Sequence, residues 1–379
     1  MSTLVVRRVN SSRDIDSFIR VPAELYDHDP HWVAPLHSEV RARLSPQRNP
    51  YFQHAQAAMF LAVRDGKAVG RITAQCCELA QKYQRPGDGH FGFYECEASQ
   101  ETSAALFSAA LQWLKELGMK RMTGPFSLSI HQEAGLLVDG FHRPPFVFMG
   151  HNLPRYQQDF LASGLTKEID LFAYHLDISK PYPERINRIL ALTNRDSNIN
   201  LRNVNKRRIR QEIGLLLEIF NEAWEDNWGH VPMTDAEVGD LANLVKRLFT
   251  EDAILLAEID GFVVGFIVVI PNLNELTRDL KGRLMPLGWL KLLYRIQFTT
   301  TGSVRVPLMG IRKQFQNTRT GAAIAFSMID RCRQACLAKG VKHCEMSWIL
   351  ESNTAMRGIL EASGSQIYKT YRIYSKALA

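Results

Sequence analysis

Val306-Pro307-Leu308-Met309-Gly310-Ile311-Arg312-Lys313-Gln314-Phe315-Gln316-Asn317-Thr318-Arg319-Thr320-Gly321-Ala322-Ala323 joins an apolar strand to a basic, polar loop and then to the first turn of a helix. Small side chains at Gly321, Ala322 and Ala323 let a ligand come close to the backbone. The unpaired amides and the positive end of the helix dipole make such a turn a ready anion site. Arg312, Lys313 and Arg319 add positive charge. Taken alone, the segment reads equally as a tight loop with a solvated basic rim, so its weight depends on what surrounds it.

Working outward, the chain repeats itself. Leu256-Ala257-Glu258-Ile259-Asp260-Gly261-Phe262-Val263-Val264-Gly265-Phe266-Ile267 echoes Leu61-Ala62-Val63-Arg64-Asp65-Gly66-Lys67-Ala68-Val69-Gly70-Arg71-Ile72. Both are apolar runs joined by Asp-Gly, the dipeptide that a type I′ hairpin prefers because both central residues need positive φ. Asp260 follows Asp65 by 195 residues, and the same spacing relates Val9-Asn10 to Val204-Asn205. Agreement across two elements predicts a duplicated fold. Each half runs strand, helices, hairpin, strand, long helix, strand, which predicts an α/β chain with a mixed sheet. The Lys180-Pro181-Tyr182-Pro183 stretch resists helix and marks the junction, giving domains 1–180 and 181–379. In the first half, helices are predicted at about 102–117 and 155–162, with a long irregular stretch from Pro125 to Pro154. In the second, helices are expected over 209–225, 235–249, 321–339 and 354–363.

Composition sets the class. The 379 residues suit two domains of roughly 150–200 residues. Apolar residues at 46% and charged residues at 22% are globular values that allow a sizeable core. No uncharged apolar run reaches the about 18 residues of a spanning helix, and the N-terminus reads as the start of a strand without a signal peptide's apolar centre. A cytoplasmic protein is expected. The net charge of +7 favours anionic partners without demanding one, and no nucleic-acid partner is expected. Six cysteines lack paired CxxC spacing, so no metal site is indicated and reduced thiols are expected.

With strand order and loop together, the second half resembles the GNAT superfamily of acyl-CoA N-acyltransferases. The family pattern Gln/Arg-x-x-Gly-x-Gly/Ala lies on Thr318 to Ala323, with Thr318 departing from the usual Gln/Arg and Arg319 supplying the charge. Asn353, and the helix running to Glu361-Ala362-Ser363-Gly364, match the later family signature, although Leu360 stands where a tyrosine often serves as thiolate acid. The resemblance implies two tandem GNAT-like domains and acyl-CoA or an acyl carrier protein as donor. The carrier would be held by Met309, Gly310, Ile311, Arg312, Arg319, Thr320, Gly321, Ala322, Ala323 and Asn353, with the oxyanion near Met309–Ile311. The first half, whose corresponding loop Ala98-Ser99-Gln100-Glu101-Thr102-Ser103 has no glycine, reads as a degenerate copy.

Acyl transfer to an amine needs a base, an oxyanion donor and an acid. Glu345, Ser347 and Glu351 share strand parity and could share a face; His230 and Glu351 are the candidates for proton handling, with Glu345 beside them. The loop Trp224-Glu225-Asp226-Asn227-Trp228-Gly229-His230 lies where this fold grips its acceptor, which makes Trp224 and Trp228 candidate substrate contacts. Trp289 is a third, in the basic, Leu-rich insertion 284–298, which can lie on a membrane surface or cover a chain-binding groove. More narrowly, with Gly135-Leu136-Leu137-Val138-Asp139-Gly140-Phe141 and Tyr368-Lys369-Thr370-Tyr371-Arg372-Ile373-Tyr374, the layout is similar to the bacterial ceramide synthases, implying a long acyl chain moved to a sphingoid base. A small-amine acetyltransferase, an aminoacyl-tRNA-dependent ligase and a non-catalytic acyl-CoA or lipid-binding protein stay open.

Overall fold

The computed structural model describes residues 3–193, 198–225, 227–248 and 250–378. Met1 and Ser2 of the expected N-terminal strand, Asp226 of the acceptor loop and Phe249 at a helix end lie outside them. The elements are, in order, β1 Leu4–Arg8, α1 Ser12–Leu25, α2 His37–Arg43, β2 Ala55–Arg64, β3 Lys67–Cys77, α3 Glu78–Tyr83, β4 Asp88–Cys96, α4 Gln100–Glu116, β5 Arg121–Gly124, β6 Leu136–Asp139, α5 Tyr156–Ala162 and β7 Thr166–Asp177. They continue with α6 Glu184–Thr193, β8 Ile199–Asn203, α7 Ile209–Trp224, α8 Asp235–Leu248, β9 Ile254–Ile259 and β10 Phe262–Pro271. The last are α9 Asn274–Thr277, α10 Gly288–Phe298, β11 Ser303–Ile311, α11 Arg319–Ala338, β12 His343–Leu350, α12 Thr354–Ala362 and β13 Gln366–Ala377.

Two compact units divide the chain. Unit 1 is Met1–Leu171 with Asn274–Gln297 and Lys369–Ala379, and unit 2 is Phe172–Leu273 with Phe298–Tyr368. These units and the sequence halves 1–180 and 181–379 are different divisions, because two segments of the second half belong with unit 1.

The repeated hairpins form as the Asp-Gly pairs require. Asp65 and Gly66 have φ of 49° and 83°, and Asp260 and Gly261 have 51° and 80°. Each pair therefore sits in the left-handed region at both positions, and the strands on either side pair antiparallel. In unit 1 the strands run β1-β2-β3-β4-β5 and then the C-terminal part of β13, with β6 also on β13. α4 covers one face through Leu106, Phe107, Ala110 and Leu114, against Ile72, Ala74, Phe91 and Tyr94. In unit 2 the order is β12-β11-β10-β9-β8. There α11 buries Ile324 and Met328 on Leu255, Ala257, Val264 and Ile267.

The stretch expected to be irregular, 125–154, contains β6, four residues between Gly135 and Gly140 that are too few for an apolar pattern to stand out in sequence. The helix expected from Gly321 starts two residues earlier, at Arg319, because Thr318 caps it.

Candidate active site in unit 2

The site begins where two parallel strands part. β11 and β12 pair from Ser303↔His343 to Val306↔Met346, and among the described residues that pairing goes no further. β11 continues to Ile311 with β10 on its other side, through Val268↔Leu308, Ile267↔Met309, Phe266↔Gly310 and Gly265↔Ile311. Its other edge, from Pro307 on, therefore presents backbone groups that β12 does not take up. An open strand edge accepts an extended, amide-bearing chain by adding it as another strand.

At the fork lies a buried polar knot. Arg305 and Glu345 are register partners, 2% exposed and fully buried respectively, with Arg305 Nε 3.4 Å from Glu345 Oε1. Ser347 Oγ donates to Glu345 Oε1 at 2.6 Å and the Tyr368 hydroxyl donates to Oε2. Arg305 Nε also donates to Ser347 Oγ at 3.0 Å, and its guanidinium lies over the Trp348 ring. A buried carboxylate is tolerable only when paired and hydrogen-bonded in this way. Glu345 and Ser347 share a face as their parity requires. Glu351 does not extend that face: β12 ends at Leu350, so Glu351 falls in the turn before α12, where its carbonyl accepts from Arg357 Nη1.

The loop after β11 turns on hydrogen bonds of its own. Arg312 donates to Val263 O and Glu222, and forms an ion pair with Glu218 at 2.8 Å. The Lys313 amide donates to Glu222 Oε1. The charge of Arg312 is thus matched by two carboxylates of α7 instead of standing open for an anion. Thr318 Oγ1 accepts from the Gly321 amide at 3.0 Å. A Cβ at Gly321 would sit 2.0 Å from the Phe315 carbonyl oxygen, so glycine is required here for the loop's own approach to the helix. That differs from the expectation that Gly321 makes room for a ligand. Ala322 and Ala323 are half-buried on the same turn. The first-turn amides without an intrahelical acceptor, and without that cap, belong to Arg319 and Thr320, both exposed at the positive end of a 20-residue helix. Asn353, expected at the cofactor, caps α12 by accepting from the Met356 amide.

Trp224 and His230 come together over Phe220, at ring distances of 4.8 and 5.8 Å. Trp228 is half-buried in the same loop. Trp289 belongs to unit 1, on α10, and is 43% exposed. Leu360 is buried in the core of unit 2. The phenol that does reach α12 is Tyr174, whose hydroxyl donates to Glu361 at 2.8 Å and accepts from Arg357 Nε. Sequence reading missed Tyr174, Arg305 and Tyr368 as members of this site, since each meets its partners only through strands distant along the chain.

Comparison with known proteins follows this geometry. The chain is 42% identical to the bacterial ceramide synthase of Caulobacter vibrioides over 99% of its own length and 98% of that protein's. It belongs to the bacterial ceramide synthase family of tandem GNAT N-acyltransferases. It is also 38% identical to the protein YghO of Escherichia coli, over 99% and 95% of the two chains. Among solved structures, a tandem GNAT protein from the clavulanic acid biosynthesis pathway superposes with a TM-score of 0.60 at 10% identity, covering 100% of this chain and 99% of that one. That likeness speaks to the fold. No family model matches the sequence. Among the described residues no helix is long and apolar enough to cross a membrane, and no cluster suited to a metal ion occurs.

Proposed function

We propose that this N-acyltransferase moves a long acyl chain from acyl-CoA to the amine of a sphingoid base or a related lipid amine. The observation that carries the reading is the parting of β11 from β12 after Val306↔Met346, with α11 opening just beyond the strand. The free edge of β11 suits the amides of the carrier's arm. The exposed amides and charge of Arg319 and Thr320 suit its diphosphate. The full-length identity to a bacterial ceramide synthase supports the long-chain donor and the lipid amine. Backbone N–H groups at Met309–Ile311 would hold the developing oxyanion, and the Arg305–Glu345–Ser347–Tyr368 knot would hold the fork in place beneath it.

Helix α10 supports a lipid setting. Lys291 and Arg295 both bind Asp279, and Arg295 also donates to Leu276 O, so the basic side of the helix is tied to α9 and its flank while Lys291 and Asp279 stay about half exposed. Trp289, Leu290, Leu293, Tyr294 and Ile296 face outward, 39% to 64% exposed, and Met285 and Leu287 precede them at 75% and 67%. A helix that points its apolar side away from its own protein suits a membrane surface.

Incubating the protein with acetyl-, palmitoyl- and stearoyl-CoA against sphinganine, ethanolamine and lysine, and following thiol release, tests the reading. Turnover confined to long chains with sphinganine is expected. Acetyl-CoA turnover with the small amines alone would overturn it.

A further inference from the structure

The face of the unit 1 sheet opposite α4 is lined with polar side chains. Ile72 and Ala74 of β3 and Phe91, Tyr94 and Cys96 of β4 go to the apolar core. The alternate residues, Arg71, Thr73 and Gln75, with His90 and Glu95 on β4, go to the other side, and the register sets Arg71 opposite Glu95 and Gln75 opposite His90. All five are 8% exposed or less. Glu95 Oε2 accepts from the hydroxyls of Tyr26 (2.9 Å) and Tyr156 (2.8 Å), while Oε1 stands 3.6 Å from Arg71 Nη2. Arg71 donates to Phe18 O and lies between the rings of Phe18 and Phe93.

Four side-chain atoms on this face meet no hydrogen-bond partner: Arg71 Nε, Thr73 Oγ1, Gln75 Oε1 and His90 Nδ1. One buried orphan is an ordinary imperfection. Four on the same face of two adjacent strands form a pattern, since each carries a desolvation cost that only a bound polar partner removes. The cover is the segment Phe126–Leu128, whose carbonyls at Phe126 and Leu128 accept from Gln75 Nε2. Leu128 within this cover and Phe93 on β4 both take left-handed backbone, with φ of 89° and 47°. Held this way, non-glycine residues need the surrounding structure to over-determine them.

We propose that this face of unit 1 binds the head of an amino alcohol. Glu95 and Gln75 Oε1 accept from its amine and hydroxyl hydrogens, and Arg71 Nε, Thr73 and His90 engage its hydroxyl oxygens. The charges select this chemistry. Arg71 is already matched by Glu95, so no positive excess remains for a phosphate, whereas acceptors and donors are both on offer. Entry requires the Phe126–Leu128 cover to part from Gln75. The occupant is either the acceptor of the reaction, in which case the inference rests on the function proposed above, or a second amine of the same class.

Serinol (2-amino-1,3-propanediol) is the probe, with 1-propanol as the control, measured on the whole protein by calorimetry. Saturable binding of serinol and none of 1-propanol is expected. Thr73→Val removes the orphan hydroxyl without changing shape and should weaken serinol about tenfold, as should Glu95→Gln, with thermal melts showing both variants folded. Competition between serinol and sphinganine in the thiol-release assay identifies the acceptor as occupant; binding without competition identifies a second amine. Serinol binding in a protein that turns over no amine would sink the acyl-transfer reading and leave the site standing. Amine turnover with no serinol binding, or with binding and amine KM untouched by both variants, would overturn the site, leaving water as the filler of this face.

Discussion

Glu95 and His90, both on β4, pull the stability of unit 1 in opposite directions with pH. Burial lifts Glu95 from 4.5 to about 7, opposed by Arg71 and the hydroxyls of Tyr156 and Tyr26 and reinforced by Glu133. The folded chain then keeps a proton that the unfolded chain releases, so stability falls as pH rises from 4.5 through about 7. Burial lowers His90 from 6.5 to about 4, opposed by Asp88 and the Thr123 backbone and reinforced by Arg121. Here the unfolded chain takes the proton first, so stability falls as pH drops from 6.5 through about 4. Each slope amounts to roughly 3 kcal/mol at full extent, and between them they largely cancel. Glu95→Gln removes only one, so the variant should lose up to about 3 kcal/mol relative to the parent on acidification from neutral to about pH 4.5. Urea melts across that range check it; parallel profiles for the two proteins would mean that Glu95 ionises as an ordinary carboxylate. Arg305→Met makes a second residue-scale case. It leaves the fully buried Glu345 with hydroxyl donors but no cation among the contacts described above, so a loss of about 3–5 kcal/mol in thermal or urea melts is expected. Neither cluster was legible in sequence. Glu345 could be picked out by parity with Ser347, but Arg305 reads as a lone charge in an apolar strand until the pairing of β11 with β12 supplies its partner.

At the scale of elements, the first turn of α11 carries two duties that sequence merges and structure separates. Thr318 and Gly321 build the turn, and Arg319 and Thr320 face outward from it. Gly321→Asp therefore cannot isolate binding from folding, because any Cβ strikes the Phe315 carbonyl oxygen. Thr318→Val should cost about 1 kcal/mol as a lost cap. Arg319→Glu should leave the melting temperature nearly unchanged while weakening acyl-CoA binding about tenfold or more, through charge reversal beside the proposed diphosphate site. Calorimetric titration of palmitoyl-CoA into both variants separates the effects, and equal affinity in Arg319→Glu and the parent would move the carrier site elsewhere. The elements themselves were largely legible. Apolar periodicity located α4, α7 and β9–β10, and Asp-Gly fixed the hairpin turns, because local sequence decides them. The site residues were less so, because Gly321 and Asn353 satisfy a family pattern while spending their side-chain space and hydrogen bonds within the fold.

At the scale of the whole molecule, the duplicated pattern is readable because repetition is a property of the chain, whereas the compact units are not, because Asn274–Gln297 leaves the second half to pack with unit 1. That excursion includes most of α10, and it bears on how the proposed lipid substrate would be reached, since among the described residues no helix is long and apolar enough to cross a membrane. Lys291 and Arg295 pair with Asp279 on one side of the helix, and the apolar side chains of the other side are exposed. Burying such side chains in lipid yields about 1.5–3 kcal/mol each at most, so a few of them suffice for reversible attachment. The net charge of +7 adds attraction to anionic lipid, and this part weakens with salt. The protein should therefore sediment with vesicles of phosphatidylglycerol and phosphatidylethanolamine, with the Trp289 emission shifted to the blue. Leu290→Glu with Leu293→Glu should lower the partition at least tenfold with little change in the melting temperature, since both side chains are about half exposed in the free protein. Turnover of sphinganine presented in detergent should be unchanged in that double variant while turnover of sphinganine presented in vesicles drops. Equal vesicle binding by the double variant and the parent would show that α10 is not the point of attachment.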